Sequence, residues 1–193
     1  MGASADVDES DVFLLVGLPG AGKYTIARAL ETLLTSRGRT ARVVDNHYMC
    51  NPIFGLITQD GVTPLPAEVG ERVREVRAAV AQTIERLSPA DWSFIFTHVV
   101  DTPNDLEWIE RLASLAERRS ARLVVVRVLC ELDELRRRVV IPSRRDRMKS
   151  VSVDDAIQGF ARGVPDLDRW KPLNLDVTRR SPDDAADMIL RYR

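Results

Sequence analysis

Asp11-Val12-Phe13-Leu14-Leu15-Val16-Gly17-Leu18-Pro19-Gly20-Ala21-Gly22-Lys23-Tyr24-Thr25-Ile26-Ala27-Arg28 is the stretch that decides the fold. An apolar run, Val12 to Val16, stops at Gly17, and a loop of three glycines and a proline leads into Lys23 and a helical pattern. Gly17, four residues, then Gly22 and Lys23 reproduce the first part of the phosphate-binding loop, set between the strand and helix that such a loop needs. Glycine leaves the backbone N–H groups free to wrap phosphate oxygens, and the following helix adds the positive end of its dipole. Lysine is scarce here: Lys23, Lys149 and Lys171 are the full set, and one falls where an ammonium must meet phosphate. The hydroxyl residue expected directly after the lysine is displaced by one, with Tyr24 in its place and Thr25 next.

Working outward, Ile26, Ala29, Leu30, Leu33 and Leu34 recur at helical spacing until Gly38, which predicts a helix over roughly 22–36. Thr40 to Asp45 reads as a short strand ending in Asp45-Asn46-His47, at the end of the sheet where an open α/β fold faces its ligand. Prolines and glycines interrupt residues 48–66, so an ordered loop with one short helix at 52–58 is expected. A long helix, 66–87, carries the stripe Val69, Val73, Val76, Val80 and Ile84, with Arg72, Arg74 and Arg77 read as a solvated face. Trp92 to Val99 is the next strand. It ends in Thr97-His98, where a nucleotide hydrolase of the common type carries an acidic metal ligand, and Asp101 is the nearest acid.

A helix from Pro103 to Arg119 and a strand over Arg122 to Leu129 follow. Glu131 to Arg138 is helical and runs into the densest cationic stretch, Arg136 to Lys149, which includes Arg138, Arg144, Arg145 and Arg147. In a P-loop protein this reads as an arginine-bearing lid over about 138–152, because phosphoryl transfer is catalysed by positioning and by positive charge on the equatorial oxygens. A short helix (153–162), a strand (173–177) and a helix capped at Ser181 complete the chain.

Strands alternating with helices imply a three-layer α/β fold around a five-stranded parallel sheet. With 193 residues, one domain over 11–193 behind a short acidic tail, 1–10, is expected. A formal net charge of −1 gives no electrostatic footprint for nucleic acid or an anionic membrane. No apolar run is long enough to cross a bilayer, and the start lacks the pattern of a leader. Cys50 and Cys130 lack metal-ligand spacing and read as reduced thiols of a cytoplasmic protein, monomeric or homodimeric.

The Gly17-to-Thr25 loop resembles that of the small P-loop kinases: adenylate kinase, shikimate kinase, gluconate kinase and chloramphenicol phosphotransferase. In the adenylate kinase loop, too, threonine comes one place after the residue that follows lysine. The resemblance implies a sheet of order 2-3-1-4-5 and ATP with Mg2+ held along Gly17, Pro19, Gly20, Ala21, Gly22, Lys23, Tyr24 and Thr25. Lys23 would lie on the β and γ phosphates, and Thr25 near the α phosphate. The metal would be held largely through water, near Thr25 and an acid elsewhere. The segment from Leu173 to Pro182, with Thr178, would lie beside the adenine, and Arg138, Arg144, Arg145 and Arg147 would supply the lid.

The acceptor side is read from Asp45, Asn46, His47, Thr97 and His98, with no arginine between Arg42 and Arg72. That set suits a small non-anionic molecule with a hydroxyl group. Asp45 is the candidate general base, and a second candidate metal ligand. Shikimate kinase and chloramphenicol phosphotransferase resemble the chain in carrying an Asp after that strand. His47, His98 and Asn51 are candidates for lining the acceptor pocket. The alternatives are a nucleotide or nucleic-acid end kinase, and a P-loop ATPase or nucleotide-binding protein without a small-molecule acceptor.

Overall fold

The computed structural model describes residues 10–58, 60, 62–99, 104–163 and 166–193. The acidic tail lies, apart from Ser10, outside the described residues, as does Asp101. Five strands, β1 (Asp11–Val16), β2 (Ala41–Val44), β3 (Ser93–His98), β4 (Arg122–Leu129) and β5 (Leu173–Asp176), form one sheet of order β2-β3-β1-β4-β5. Every neighbouring pair is parallel. Among the described residues, seven helices connect or follow them: α1 (Lys23–Ser36), α2 (Asn46–Phe54), α3 (Ala67–Leu87), α4 (Asn104–Arg118), α5 (Leu132–Val139), α6 (Val153–Arg162) and α7 (Pro182–Tyr192).

The alternation of β1 sets the layers. Phe13 and Leu15 point to one face, where Ile26, Leu30 and Leu34 of α1 and Ile189 of α7 cover them. Val12, Leu14 and Val16 point to the other, against Ile84 of α3 and Ile109 and Leu112 of α4. A strand buried on both faces reads as a continuous apolar run, which is why Val12 to Val16 shows no polar alternation. A smaller cluster, Cys50 of α2 with Val69 and Val73 of α3, ties those two helices together.

One sequence expectation is corrected. The short helix expected at 52–58 is instead α2, which begins directly after Asp45, with Pro52 inside it near the end. Asn46, His47, Tyr48 and Met49 are therefore helical, and their side chains are fixed by a helix anchored in the core through buried Met49. At the opposite end of the sheet, fully buried Asp11 pairs with Arg39 at 2.7 Å and with Arg193 at 2.8 Å, fastening the end of α7 to the first strand.

Candidate active site

β1 has β3 on one side and β4 on the other, so the strand order reverses at β1 and a crevice opens beyond its carboxyl end. The phosphate-binding loop fills that position. A Cβ added to Gly17 would lie 2.5 Å from the Val128 carbonyl oxygen, so only glycine lets the loop pass β4 this closely. Gly22 adopts φ 86° as the residue before α1, a left-handed turn that aims the first N–H groups of the helix into the crevice. The Lys23 ammonium donates to the carbonyls of Gly17 (2.6 Å) and Leu18 (2.8 Å).

Asp45 sits at the junction of β2 and α2, 4% exposed, with extended backbone. Its Oδ1 accepts from Thr97 Oγ1 at 2.5 Å, and its Oδ2 pairs with Lys149 Nζ at 3.0 Å. The Thr97 hydroxyl also accepts from the Asn46 N–H at 3.1 Å. Thr97, which stands where a hydrolase places an acid, is thus a clamp that fixes the carboxylate of β2 from β3. Burial pushes the Asp45 carboxyl up, but the Lys149 charge with the Thr97 and Lys149 hydrogen bonds outweighs it and holds the pKa below the usual carboxylate range.

The cationic segment expected to act as a lid follows α5. A 3-10 turn, Pro142–Arg147, ends at Met148, whose φ of 52° reverses the chain and brings Lys149 back to Asp45. Arg144 donates through Nε (3.0 Å) and Nη2 (2.8 Å) to the Ser150 carbonyl, closing the turn. The Arg147 guanidinium lies 4.6 Å, and the Lys149 ammonium 4.9 Å, from the centre of the Tyr24 ring. Tyr24, the irregular residue of the loop, is therefore the surface on which this cationic segment rests. Its hydroxyl meets that of Tyr48 at 3.2 Å, and this hydrogen bond together with burial raises Tyr48 to about 12.

The remaining expected residues divide. His47 lines the cleft, with Nδ1 3.2 Å from Asn51 Oδ1. Burial and the Lys149 charge lower it to about 4, so it is neutral at pH 7. Asn51 in turn donates to the Arg147 carbonyl at 3.4 Å, linking α2 to the lid. Arg138 lies against Gly22 and donates through Nη2 to the carbonyls of Val177 and Thr178, both at 3.2 Å, while its Nε pairs with Glu134. Thr178 thus meets Arg138 through its carbonyl. Its hydroxyl donates to Asp176 and accepts from the Glu131 N–H, fastening β5 to the start of α5.

Two expectations fail. Arg145 is exposed on the outer side of the 3-10 turn and is not among the cleft residues, because the turn's threefold repeat sends Arg144 and Arg147 inward together. His98 is 1% exposed, 3.2 Å from Asp105 of α4, with burial holding its pKa down, and its imidazole does not line the cleft. Only its carbonyl reaches the loop, accepting from the Gly17 N–H at 3.3 Å. Lys149 is the residue that sequence reasoning passed over as a partner of Asp45, although the scarcity of lysine is a visible signal for it.

The cleft encloses about 480 Å³ between Gly20, Lys23, Thr25, Asp45, Arg138 and Lys149. Five cations line it against a single carboxylate, Asp45. An adjoining cavity of about 670 Å³ shares Asn46, Phe54, Leu65 and Val99 with it. Arg74, Arg77 and Arg111 line this second cavity. Of the three α3 arginines read as a solvated face, Arg72, paired with Glu75 in the same helix, and Arg74 are exposed, whereas Arg77 is half-buried. The space beside Asn46 is not poor in arginine, as the sequence spacing suggested: α3 and α4 deliver guanidinium groups that lie far from β2 in sequence.

Residues 12–163 match the profile of a family described as AAA domain. The chain belongs to that family. In structure it is similar to the APS kinase of Mycobacterium tuberculosis bound to AMPPNP and APS, at 15% identity, a TM-score of 0.61, and coverage of 95% of this chain and 96% of the other. It is also similar to the shikimate kinase of Acinetobacter baumannii bound to shikimate (15%, 0.55, 98% and 96%) and to Kti12 of Chaetomium thermophilum bound to ADP-AlF3 (13%, 0.61, 94% and 96%). No curated protein sequence matches. The fold is that of the P-loop kinases, and these likenesses carry the fold alone.

The cleft also bears on Mg2+. Among the described residues no group of three or more His, Cys, Asp or Glu could form an all-protein metal cage. Thr25 is exposed on the cleft and Asp45 is its one carboxylate. Mg2+ keeps several waters and takes one or two carboxylates alongside phosphate oxygens, so this donor set fits it.

Proposed function

We propose that the protein is an ATP-dependent phosphotransferase that moves the γ-phosphoryl group to a hydroxyl of a small molecule. The observation that carries this reading is the placement of Asp45, a buried and ionised carboxylate held by Thr97 and Lys149 across the cleft from the phosphate-binding loop. A hydrolase needs only to orient water. A buried carboxylate with a neighbouring cavity for an organic molecule suits an acceptor hydroxyl.

The loop N–H groups and the start of α1 hold the β and γ phosphates. Lys23 exchanges its carbonyl partners for phosphate oxygens. Arg138 and Arg144, on the same cleft, neutralise charge as it builds on the equatorial oxygens. Lys149 is shared: leaving Asp45 for the γ-phosphate, it would strengthen the electrophile and restore the basicity of the carboxylate that its charge depresses. Asp45 then takes the proton of the acceptor hydroxyl as the bond from that oxygen to the γ phosphorus forms in line and the bond to the β–γ bridging oxygen breaks, leaving ADP. Mg2+, when bound beside Thr25 and Asp45, would neutralise the bridging and terminal oxygens. The buried thiols Cys50 and Cys130, both free, accord with a cytoplasmic setting.

ADP release measured against a panel of nucleosides, sugars, hydroxy acids and hydroxylated antibiotics tests the reading. Stimulation by at least one class in the wild type, lost in Asp45→Asn, is expected. ADP formation that no acceptor accelerates and that Asp45→Asn leaves unchanged contradicts it.

A further inference from the structure

We infer that the acceptor is an anionic molecule, whose oxyanion group is held in the cavity between α2, α3 and α4 by Arg74, Arg77 and Arg111 while its hydroxyl reaches Asp45. This rests on the phosphotransferase reading of the cleft and names the class of molecule that the site takes.

The first observation is pairing. Many of the arginines are tied to carboxylates: Arg28 to Glu31, Arg39 to Asp11, Arg118 to Glu85, Arg127 to Asp168, Arg138 to Glu134 and Arg191 to Asp187. Among the described residues, Arg74, Arg77 and Arg111 make no ion pair, and all three line one cavity. Two acids, Asp105 and Glu107, line it as well, and the first stands 3.2 Å from His98. Three guanidinium groups against two carboxylates leave the cavity formally positive.

The second observation is the direction of the unmet hydrogen-bonding capacity. Arg77 Nε and Trp108 Nε1 are buried and have no acceptor among the described residues, and both residues line the cavity. Both are donors, which a ligand rich in acceptor oxygens satisfies and a ligand of donors cannot. Leaving such groups unmet in a fold costs free energy, so a cavity that collects them is built for something that supplies lone pairs. Carboxylate, phosphate and sulfate share that chemistry, and planar guanidinium forks match it.

The third is the path to the cleft. Arg77 Nη2 donates to Asn46 Oδ1 at 2.7 Å, and Asn46 follows Asp45 directly and lines both spaces. An anion on Arg77 therefore lies one residue from the proposed base, and the chain of contacts sets the distance between the anionic group and the hydroxyl. Val69, Val73, Leu65 and Phe54 give the intervening wall an apolar surface, suited to a carbon skeleton.

The test separates this inference from the kinase reading by filling the phosphate-binding loop first. Protein saturated with Mg2+ and a non-hydrolysable ATP analogue is treated with phenylglyoxal, and modification at each arginine is read by mass spectrometry with sodium sulfate or sodium chloride at equal ionic strength. Sulfate is expected to slow modification of Arg74, Arg77 and Arg111 together by about threefold or more while leaving Arg72 unchanged, and Arg77→Gln is expected to abolish the protection at the other two. In parallel, ADP formation is compared across hydroxy acids and their methyl esters, and across nucleoside monophosphates and nucleosides. Preference for the charged member by about tenfold or more supports the inference. Equal modification in sulfate and chloride, or better turnover of the uncharged members, overturns it while the kinase reading stands. Failure of the ATP analogue to bind counts against the kinase reading and removes the basis of this one.

Discussion

Lys149 Nζ and Asp45 Oδ2 lie 3.0 Å apart although 104 residues separate them, so the lid and the carboxyl end of β2 meet in a buried ion pair directly over the phosphate-binding loop. The pair helps to keep the Asp45 carboxylate ionised.

Replacing Lys149 by Met is expected to lower kcat by about tenfold or more, with a smaller change in the Kd for ATP, because the ammonium acts on the transferring group more than on the bound nucleotide. The same substitution removes the charge that depresses Asp45, so the acid limb of the kcat/KM profile should move to higher pH. A pH-rate comparison of wild type and Lys149→Met checks both; an unmoved acid limb would show that the ion pair does not govern the carboxylate.

His47 supplies a pH dependence of stability. Burial and the Lys149 charge hold its folded pKa at about 4, below the ordinary histidine value of 6.5. The unfolded chain therefore takes up a proton in a window where the folded one does not, and stability falls as pH drops from about 6.5 to about 4. Urea unfolding across that window should show a steeper loss for the wild type than for His47→Gln. Equal slopes would mean that the imidazole titrates freely.

Much of this was legible in the sequence. The strand before Gly17 and the helix after Lys23 followed from apolar periodicity and the loop motif, because local pattern and burial agree there, and the sheet order followed from the resemblance to the small P-loop kinases. Asp45 was legible because it ends a strand beside the loop. The Asp45–Lys149 pairing was not, since it depends on a reversal at Met148 in a positive-φ conformation that no local residue preference announces. The inward turn of Arg144 and Arg147 and the outward turn of Arg145 depend likewise on a 3-10 register invisible in a run of charges. Arg77 looked solvated because helical periodicity marks it polar, and only the packing of α4 against α3 encloses it.

Tyr24 is expected to act as a platform. Both lid cations approach its ring, so Tyr24→Ala should raise KM for the acceptor and ATP several-fold by loosening the lid. Tyr24→Phe, which keeps the ring and loses the Tyr48 hydrogen bond, should stay within about twofold of wild type. Steady-state kinetics of the two variants separate the ring from the hydroxyl.

Gly17→Ala should destabilise the fold by about 1–3 kcal/mol, since the new Cβ meets the backbone of β4 and cannot be relieved by a rotamer change. Denaturant titration measures it, and a variant as stable as the wild type would show that the loop can retreat from Val128.

The central claim is phosphoryl transfer from ATP bound at Lys23 to an organic hydroxyl governed by Asp45. Incubating the protein with γ-labelled ATP and the acceptor panel, then locating the label by chromatography and mass spectrometry, tests it most directly. The account predicts label on an organic product in the wild type, and its loss by about a hundredfold or more in both Lys23→Ala and Asp45→Asn. Label found only in inorganic phosphate, or transfer that persists at the wild-type rate in Lys23→Ala, would contradict it.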